Sequence, residues 1–303
     1  PPPPVAIFLP GADSGLADQV QLVAQPVVLA LGWRWESRPE LLVAEIPADL
    51  RLVIALPGAE PDAGGTALAA LAVAIPQTPV LAIAIPDLPQ LPNLSVIGPQ
   101  GWRQDQQGFL AGLIAAMITP DWRVGVISVT DTLPGQAARQ GFVNGATYFC
   151  GLCTSYHGPV VKYPLYVELP SNASSAEWQA AAQLLLDKAV KTVYLAPAVE
   201  DPGLLDMLAS RGVQLIGGGL PPDDLQAHWV LGLAPDPAAA VARILPELLS
   251  GQPAQVEPMP LAFVGVNPVL FSPGRQELAA KILADVLQGY IDTGVDPLTG
   301  QPW

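Results

Sequence analysis

The stretch 124-VGVISVTDTLPGQAARQGFVNGATYF-149 decides the fold of this chain. It begins with a short apolar run, Val124 to Val129, which ends at the turn residues Thr130 and Asp131. Residues 136–149 then carry apolar side chains at helical spacing. An apolar run of this length suits a strand buried on both faces, and a strand followed by a helix is the repeating unit of a parallel α/β sheet.

The same unit recurs on both sides of this stretch. Further strands are predicted at Val5 to Leu9, Leu52 to Leu56, Val80 to Ile85, Thr192 to Ala196 and Val213 to Ile216. Further helices are predicted at Gly15 to Leu31, Gly65 to Ile75, Gln106 to Ile118, Ser174 to Ala189 and Pro202 to Arg211. The alternation pauses over residues 94–103, which are rich in turn formers. This pattern predicts an α/β protein with two doubly wound parallel-sheet lobes joined by a hinge.

Composition excludes several classes of function. Thirteen Lys and Arg face 27 Asp and Glu, a formal net charge of -14, so a nucleic acid would be repelled and we expect no such partner. The apolar runs are broken well before the roughly 20 residues that span a bilayer. Only His157 and His228 accompany the two cysteines, so we expect no metal site and no cofactor. Nucleophile-elbow, zinc-protease, P-loop and dinucleotide motifs are absent, which argues against an enzyme and leaves a small-molecule hydrolase as a minor alternative.

Cys150 and Cys153 are the only cysteines. They follow a helical segment, whereas a thioredoxin-like redox pair would open a helix. A local disulfide and two free thiols both fit, and a disulfide would suit an oxidising compartment. The chain begins with the four prolines Pro1 to Pro4, an extended spacer that we expect to follow a removed signal segment. The alternative is a trimmed piece of a cytosolic protein.

Three segments resemble the basic membrane protein family, also called the purine-nucleoside-receptor-like family, of ABC-importer lipoproteins. The first is Gln107 to Ala116, QGFLAGLIAA, whose small residues would let a helix pack close on a sheet. The second joins Val124 to Ile127 with Gly141 to Ala146, GFVNGA. The third is the late order of Val230 to Gly232, a helix near residues 238–249, and Gly265 to Asn267.

The resemblance implies a periplasmic-binding-protein type I fold with several hinge crossings. Its first lobe would comprise residues 1–100 and 233–262, and its second lobe residues 101–232 and 263–303. It also implies an extracytoplasmic lipoprotein without a catalytic role, anchored through a removed N-terminal segment. Such a protein closes on a small molecule in the interlobe cleft, here a purine, nucleoside or related metabolite, and docks on an ABC permease. A sensor of the same fold that signals to a membrane partner is the alternative.

Ligands of open parallel sheets lie beyond the carboxyl ends of the strands. In the first lobe this rule selects Asp13, Ser14, Gly58, Glu60 and Asp87. In the second lobe it selects Thr130, Asp131, Glu168, Glu200, Asp201 and the glycines Gly217, Gly218 and Gly219. Near the expected hinge, Gln100 and Trp102 could reach a ligand, and Trp102 offers a stacking face. Tyr166 or Tyr163 could stack in the second lobe, and Asn267 lies near the last expected crossing.

Each of these candidates has an alternative structural role. Asp13 and Asp131 could cap helices or loops, Asp87 could form a turn, and Trp102 could pack beneath the hinge. The resemblance also shows two departures from nucleoside-binding members. Gly218 and Gly219 stand where those members carry an acid, and residues 233–236 lack their lysine. Both departures argue against nucleoside specificity.

Overall fold

The computed structural model describes residues 2–58, 61–99, 101–154, 161–199 and 201–303, with the side chains of residues 61–64 left aside. The chain divides into two compact units. Unit 1 comprises Pro1–Trp102 and Pro235–Pro260, and unit 2 comprises Arg103–Ala234 and Leu261–Trp303. The chain therefore passes between the units three times. The last passage follows residue 260, just before the segment 263–267 where the final crossing was expected.

Unit 1 is a six-stranded sheet with helices on both faces. Its strands are β1 (Val5–Leu9), β2 (Arg34–Ser37), β3 (Leu50–Ala55), β4 (Val80–Ile83), β5 (Leu94–Ile97) and β11 (Val256–Glu257), in the order β11-β5-β4-β3-β1-β2. Every one of these pairings is parallel. Its helices are α1 (Ser14–Ala30), α2 (Pro61–Ala74) and α7 (Pro237–Leu249).

Unit 2 repeats this plan with a second six-stranded sheet. Its strands are β6 (Val124–Val129), β7 (Leu165–Leu169), β8 (Thr192–Leu195), β9 (Gln214–Gly217), β10 (Trp229–Pro235) and β12 (Leu261–Val264), in the order β12-β10-β9-β8-β6-β7. Its helices are α3 (Gln104–Ile118), α4 (Leu133–Cys150), α5 (Ser175–Asp187), α6 (Pro202–Ser210) and α8 (Pro273–Leu287). The pairings of β6 with β7 and β8, and of β9 with β8 and β10, are parallel.

Strand β12 runs antiparallel to β10. Asp236, just after β10, donates its N–H to the carbonyl of Pro260, just before β12. At the other end, Asn267 donates its N–H to the carbonyl of Val230. The residue numbers thus rise along one strand as they fall along the other. The segment that follows β12 therefore lies at the amino end of β10.

The central strands of both sheets are buried on both faces, as the apolar runs predict. In unit 2, Val124 and Val126 of β6 face the cluster under α3, α4 and α8, whereas Ile127 and Val129 face the cluster under α5 and α6. Alternate residues of one strand therefore enter different cores, which is why the run contains no charge. Ser174 and Glu177 form a reciprocal capping box at the start of α5.

The glycines of α3 let this helix approach α4 closely. A Cβ added to Gly108 would lie 2.0 Å from the carbonyl oxygen of Ala138 in α4, and one on Gly112 would lie 2.1 Å from that of Phe142. Gly141 and Gly145 of α4 approach Asp105 and Phe109 of α3 in the same way. The helix also packs on β6, β8 and β9, as expected, with Ala111 and Ala115 in the shared core, while its glycines serve the close contact with α4.

Candidate functional site

In unit 1 the loops that follow β1 and β3 are bonded to each other. Ala12 donates its N–H to the carbonyl of Pro57 at 2.9 Å. Gly11 has a φ of +67°, and a Cβ there would lie 2.2 Å from the oxygen of Pro57, so only glycine permits this approach. The contact brings Asp13 and Ser14 to the same edge as Gly58, as the sequence predicts for carboxyl ends of adjacent strands.

The acidic residues at this edge have structural roles. Asp13 is the N-cap of α1, and its carboxylate accepts the N–H of Leu16 at 3.0 Å, while Ser14 is the first residue of the helix. Asp87 follows β4 in the left-handed region with a φ of 57°, which fits the turn alternative. Trp102 ends the first segment of unit 1 with 40% of its surface exposed, so its ring is available for stacking. Glu60, Gln100 and Glu200 lie outside the described residues.

In unit 2 Asp131 clamps two neighbouring loops together. Its carboxylate accepts the N–H of Ser171 at 2.9 and 3.1 Å and the hydroxyl of Ser171 at 2.8 Å. These hydrogen bonds hold the pKa of Asp131 below its ordinary value, because they stabilise the carboxylate form. Thr130 reinforces the clamp by donating its N–H to Leu169. The carboxylate that the sequence offered as a ligand contact thus joins the loops after β6 and β7.

Tyr166 does not lie at the carboxyl edge. It is the second residue of the edge strand β7, and the guanidinium of Arg139 in α4 lies 5.1 Å from its ring centre. Arg139 also pairs with Glu168, two residues further along, at 2.8 Å. The Arg139 side chain therefore joins Tyr166 and Glu168 to α4, while Tyr166 stays 52% exposed. Tyr163, the other aromatic candidate, is buried and donates its hydroxyl to the carbonyl of Lys188.

Asn267 also lies away from the carboxyl ends. Its backbone bonds Val230 at the start of β10, and its side-chain amide donates to the carbonyl of Gln226 at 3.2 Å. Its Oδ1 accepts the N–H of Val269. The prediction of a ligand contact here assumed a hinge crossing near Asn267, but the chain has already entered unit 2 after residue 260. Asn267 as a ligand contact stays a prediction.

The carboxyl end of β9 carries the strongest candidate feature of unit 2. Gly218 and Gly219 follow the strand, and a Cβ on Gly218 would lie 3.3 Å from Nε2 of Gln107 in α3. A Cβ on Gly219 would have no neighbour within 4 Å, so this side of the backbone is open. Gln107 was not predicted as a site residue, although an amide at the start of an otherwise apolar helix was a signal in the sequence.

Asp201 in unit 2 and Asp236 in unit 1 are engaged as helix caps. Asp201 accepts the N–H of Leu204 at 2.7 Å and the hydroxyl of Ser175 at 2.8 Å. Asp236 accepts the N–H of Ala239 at 3.0 Å. Such contacts satisfy carboxylates without a ligand. In unit 2 the carboxylates of Asp131 and Asp201 are therefore already engaged within the protein.

Cys150 and Cys153 form a disulfide with their Cα atoms 5.2 Å apart. The bridge closes the end of α4, and Cys153 itself is buried. Within the described ranges, no group of three His, Cys, Asp or Glu side chains is placed to hold a metal ion. None of the helices there combines the length and apolar character needed to cross a membrane.

No protein family profile and no curated protein matches the sequence. Solved structures do resemble the fold. An ABC transporter solute-binding protein from Conexibacter woesei is 17% identical with a TM-score of 0.62, over 96% of this chain and 98% of its own. A transcriptional activator of the comK gene from Bacillus halodurans is 12% identical with a TM-score of 0.61, over 95% and 99%. A glucose-galactose binding protein from Geobacillus stearothermophilus is 16% identical with a TM-score of 0.52, over 87% and 97%.

These likenesses show the fold: two α/β lobes with mostly parallel sheets, as in periplasmic-binding-protein-like structures. The predicted fold class is thereby confirmed. Membership of the basic membrane protein family stays a prediction, since the similar structures do not single that family out.

Proposed function

We propose that this protein is the solute-binding component of an ABC importer, which closes its two lobes on one small molecule and delivers it to a membrane permease. The observation that carries the proposal is the match of nearly the whole chain, 96%, to a solute-binding protein of such a transporter. The carboxylates of Asp13, Asp131 and Asp201 serve as caps or clamps, so the loops at the carboxyl edges that would meet a ligand are held in place. Ligand binding would then shift the population toward a closed form.

Two chemical classes of ligand compete. The sequence resemblance favours a purine, a nucleoside or a related metabolite, whereas one similar structure is named as a glucose-galactose binding protein. Native mass spectrometry of the protein as purified would detect a retained molecule directly. Titration with adenosine, inosine, D-galactose and D-arabinose, followed by small-angle scattering, is expected to show binding of one molecule per chain with a decrease in radius of gyration. Binding without compaction would contradict the closing mechanism.

An extracytoplasmic location is part of the same proposal. The Cys150–Cys153 disulfide supports it, because such bonds persist in oxidising compartments. Lipid anchoring rests on the family resemblance alone. The intact mass of the protein extracted from its native membranes tests anchoring, since a diacylated N-terminus adds the mass of its acyl chains. Recovery of all the protein in the aqueous fraction would contradict the anchor.

A ligand sensor is the second candidate function, favoured by the similarity to a transcriptional activator with a TM-score of 0.61. The two functions differ in what the loaded protein acts on. A solute-binding protein, reconstituted with the permease and ATPase of its own operon, is expected to stimulate ATP hydrolysis in a ligand-dependent way. Ligand binding without such stimulation, together with ligand-dependent binding to a membrane receptor, would favour the sensor.

A further inference from the structure

A cavity of about 360 Å³ lies at the amino edge of the unit 2 sheet, opposite the edge where ligands of parallel sheets bind. Its walls include Arg123, Lys191 and Gln214, which stand at or just before the first residues of β6, β8 and β9. Backbone hydrogen bonds hold these residues side by side. Lys191 donates its N–H to the carbonyl of Arg123 at 2.7 Å, and Gln214 donates to the carbonyl of Lys191 at 2.8 Å.

One wall of the cavity is fixed by buried hydroxyls. Thr119 lines the cavity with only 5% of its surface exposed, and its hydroxyl donates to the carbonyl of Ala115 at 2.6 Å. The hydroxyl of Thr192, which is fully buried, lies 2.6 Å from that of Thr119 and donates to Oε1 of Gln214 at 3.3 Å. These polar groups are therefore ordered before any molecule enters the cavity.

Positive charge is concentrated at this edge, although the chain carries a formal net charge of -14. Four cations stand in the segments that lead into β7, β8 and β9, and none forms an ion pair with a described residue: Lys162, Lys188, Lys191 and Arg211. Arg123 is a fifth cation, and it pairs with Asp121 at 3.7 Å. Asp187 is a second acid at this edge, and it accepts a hydrogen bond from Gln183.

Lys191 differs from its neighbours in having no evident structural role. Lys188 and Arg211 directly follow the last residues of α5 and α6, where a positive charge offsets the helix dipole. Lys191 instead stands past the end of α5, directly before β8, and lines the cavity together with Arg123. A lysine acts as a point charge and an arginine as a planar fork of donors, and the two together suit an anion with several oxygens.

We propose that this cavity binds the phosphate group of a small molecule between Lys191 and Arg123. A phosphate dianion gains from both cations, whereas a carboxylate carries a single charge, so phosphate should be preferred. The inference does not depend on the proposed solute-binding function, because the cavity lies at the opposite edge of the sheet from the loops that would hold the solute.

Lys188 offers a matched control for Lys191. Both side chains are exposed, and both lie between α5 and β8 at the same edge. Only Lys191 lines the cavity. Lys191→Gln and Lys188→Gln therefore remove the same charge from the same edge, and only the first removes a group from the proposed site.

The experiment is calorimetric titration of inorganic phosphate, with acetate as the comparison anion, into the wild type and both variants at low ionic strength. The wild type is expected to bind one phosphate per chain, more tightly than acetate. Lys191→Gln should weaken phosphate binding roughly 10- to 100-fold, the loss typical of a hydrogen bond to a charged group, and Lys188→Gln less than about threefold. No phosphate binding by the wild type, or equal losses in the two variants, would overturn the site.

A second measurement identifies the source of the phosphate group. Phosphatidylglycerol vesicles, compared with phosphatidylcholine vesicles, test whether a lipid headgroup is bound. Vesicle binding that Lys191→Gln abolishes and Lys188→Gln retains would identify a lipid, and phosphate binding without vesicle binding would identify a soluble molecule. Vesicle binding that both variants weaken equally would contradict a lipid in the cavity, because it would reflect the charge of the whole edge.

This inference and the proposed function fail separately. Lys191→Gln should leave the affinity for D-galactose or adenosine unchanged, whichever of them the protein binds. If such a solute binds but phosphate does not, only the phosphate site is overturned. If phosphate binds as expected and no solute from a broad panel does, the solute-binding function fails and the phosphate site stands.

Discussion

The two units build the same architecture but join their helices in opposite ways. In unit 1, α1 and α7 cover one face of the sheet with bulky aliphatic side chains. Those of α1 include Val20 and Val28, and those of α7 include Val241, Ile244 and Leu248. The contact is made by side chains that fill space, so its free energy comes from buried apolar area.

In unit 2, α3 and α4 meet backbone to backbone. Gly108 and Gly112 of α3 and Gly141 and Gly145 of α4 each approach a carbonyl of the other helix so closely that a Cβ would overlap it. Close approach gains dispersion contacts along both helices, but it leaves no room for a larger residue. The stability of unit 1 should therefore be sensitive to the loss of side-chain volume at its helix contact, and the stability of unit 2 to a gain of side-chain volume between α3 and α4.

The largest effect is expected for Gly145→Val in unit 2. A Cβ at this position would lie 1.8 Å from the carbonyl oxygen of Phe109, so α4 must move away from α3. We expect the free energy of unfolding of unit 2 to fall by at least about 3 kcal/mol. Urea unfolding, monitored by hydrogen exchange in each unit separately, measures this loss of stability.

Gly274→Ala in α8 is the control, because nothing lies within 4 Å of its added Cβ. It should be neutral or slightly stabilising, by up to about 1 kcal/mol, since alanine favours helix more than glycine does. Similar stabilities of the two variants would show that α3 and α4 can separate without cost, and the comparison between the units would fail.

The next effect is expected for Ile244→Ala in unit 1. Ile244 is fully buried between α7 and the sheet, so truncation leaves a cavity. We expect a loss of about 2–5 kcal/mol, confined to unit 1 in hydrogen exchange. Leu22→Ala, in α1 but 77% exposed, should change stability by less than about 0.5 kcal/mol. Faster exchange in unit 2 as well would mean that the units do not unfold separately.

The sequence predicts the central strands because both of their faces are buried. Val5–Leu9 and Val124–Val129 begin and end at the residues expected from their apolar runs. The edge strands were missed, since β2 is Arg34–Ser37, a mostly polar segment with one covered face. β5 was missed for another reason. Leu94–Ile97 is buried, but the prolines and asparagine around it resemble a loop, so the pause in the pattern was placed too early.

The candidate site could be predicted only as a set of loops. The rule for parallel sheets leads to Asp13, Asp131 and Gly218. It does not say which groups are free, because partners come from distant parts of the chain. Ser171, which engages Asp131, is 40 residues away, and Leu233, which orients Gln107, is 126 residues away. Such pairings are set by tertiary packing, which local patterns do not contain.

Reduction of the disulfide is expected to have a smaller effect, again in unit 2 alone. Cys150 and Cys153 are three residues apart, so the closed loop is short and its entropy small, which gives on the order of 2 kcal/mol. Hydrogen exchange with and without a reductant measures the loss. The double variant Cys150→Ala/Cys153→Ala should not respond to reductant. Alkylation of two thiols in the untreated protein would show that the bond does not form.

The smallest effect is expected from Asp131, whose clamp on Ser171 joins two exposed loops of unit 2. Its pKa is lowered by the hydrogen bonds from Ser171, so the folded protein binds this proton less readily than the unfolded chain. The contribution to stability is therefore fully present above the unfolded pKa of about 3.9 and is lost as the pH falls through the lowered pKa of the folded state.

Asp131→Asn should accordingly lower the Tm at pH 7 by no more than about 2 °C, and the difference from wild type should shrink below pH 4. Ser171→Ala removes the hydroxyl that donates to Asp131 and keeps the backbone N–H. It should therefore also weaken the pH dependence of the Tm. Thermal unfolding of the three proteins between pH 3 and pH 7 makes the comparison. If the difference in Tm between Asp131→Asn and wild type instead grows as the pH falls, the Asp131 carboxylate does not hold the two loops together. The backbone hydrogen bond from Thr130 to Leu169 would then be what joins them.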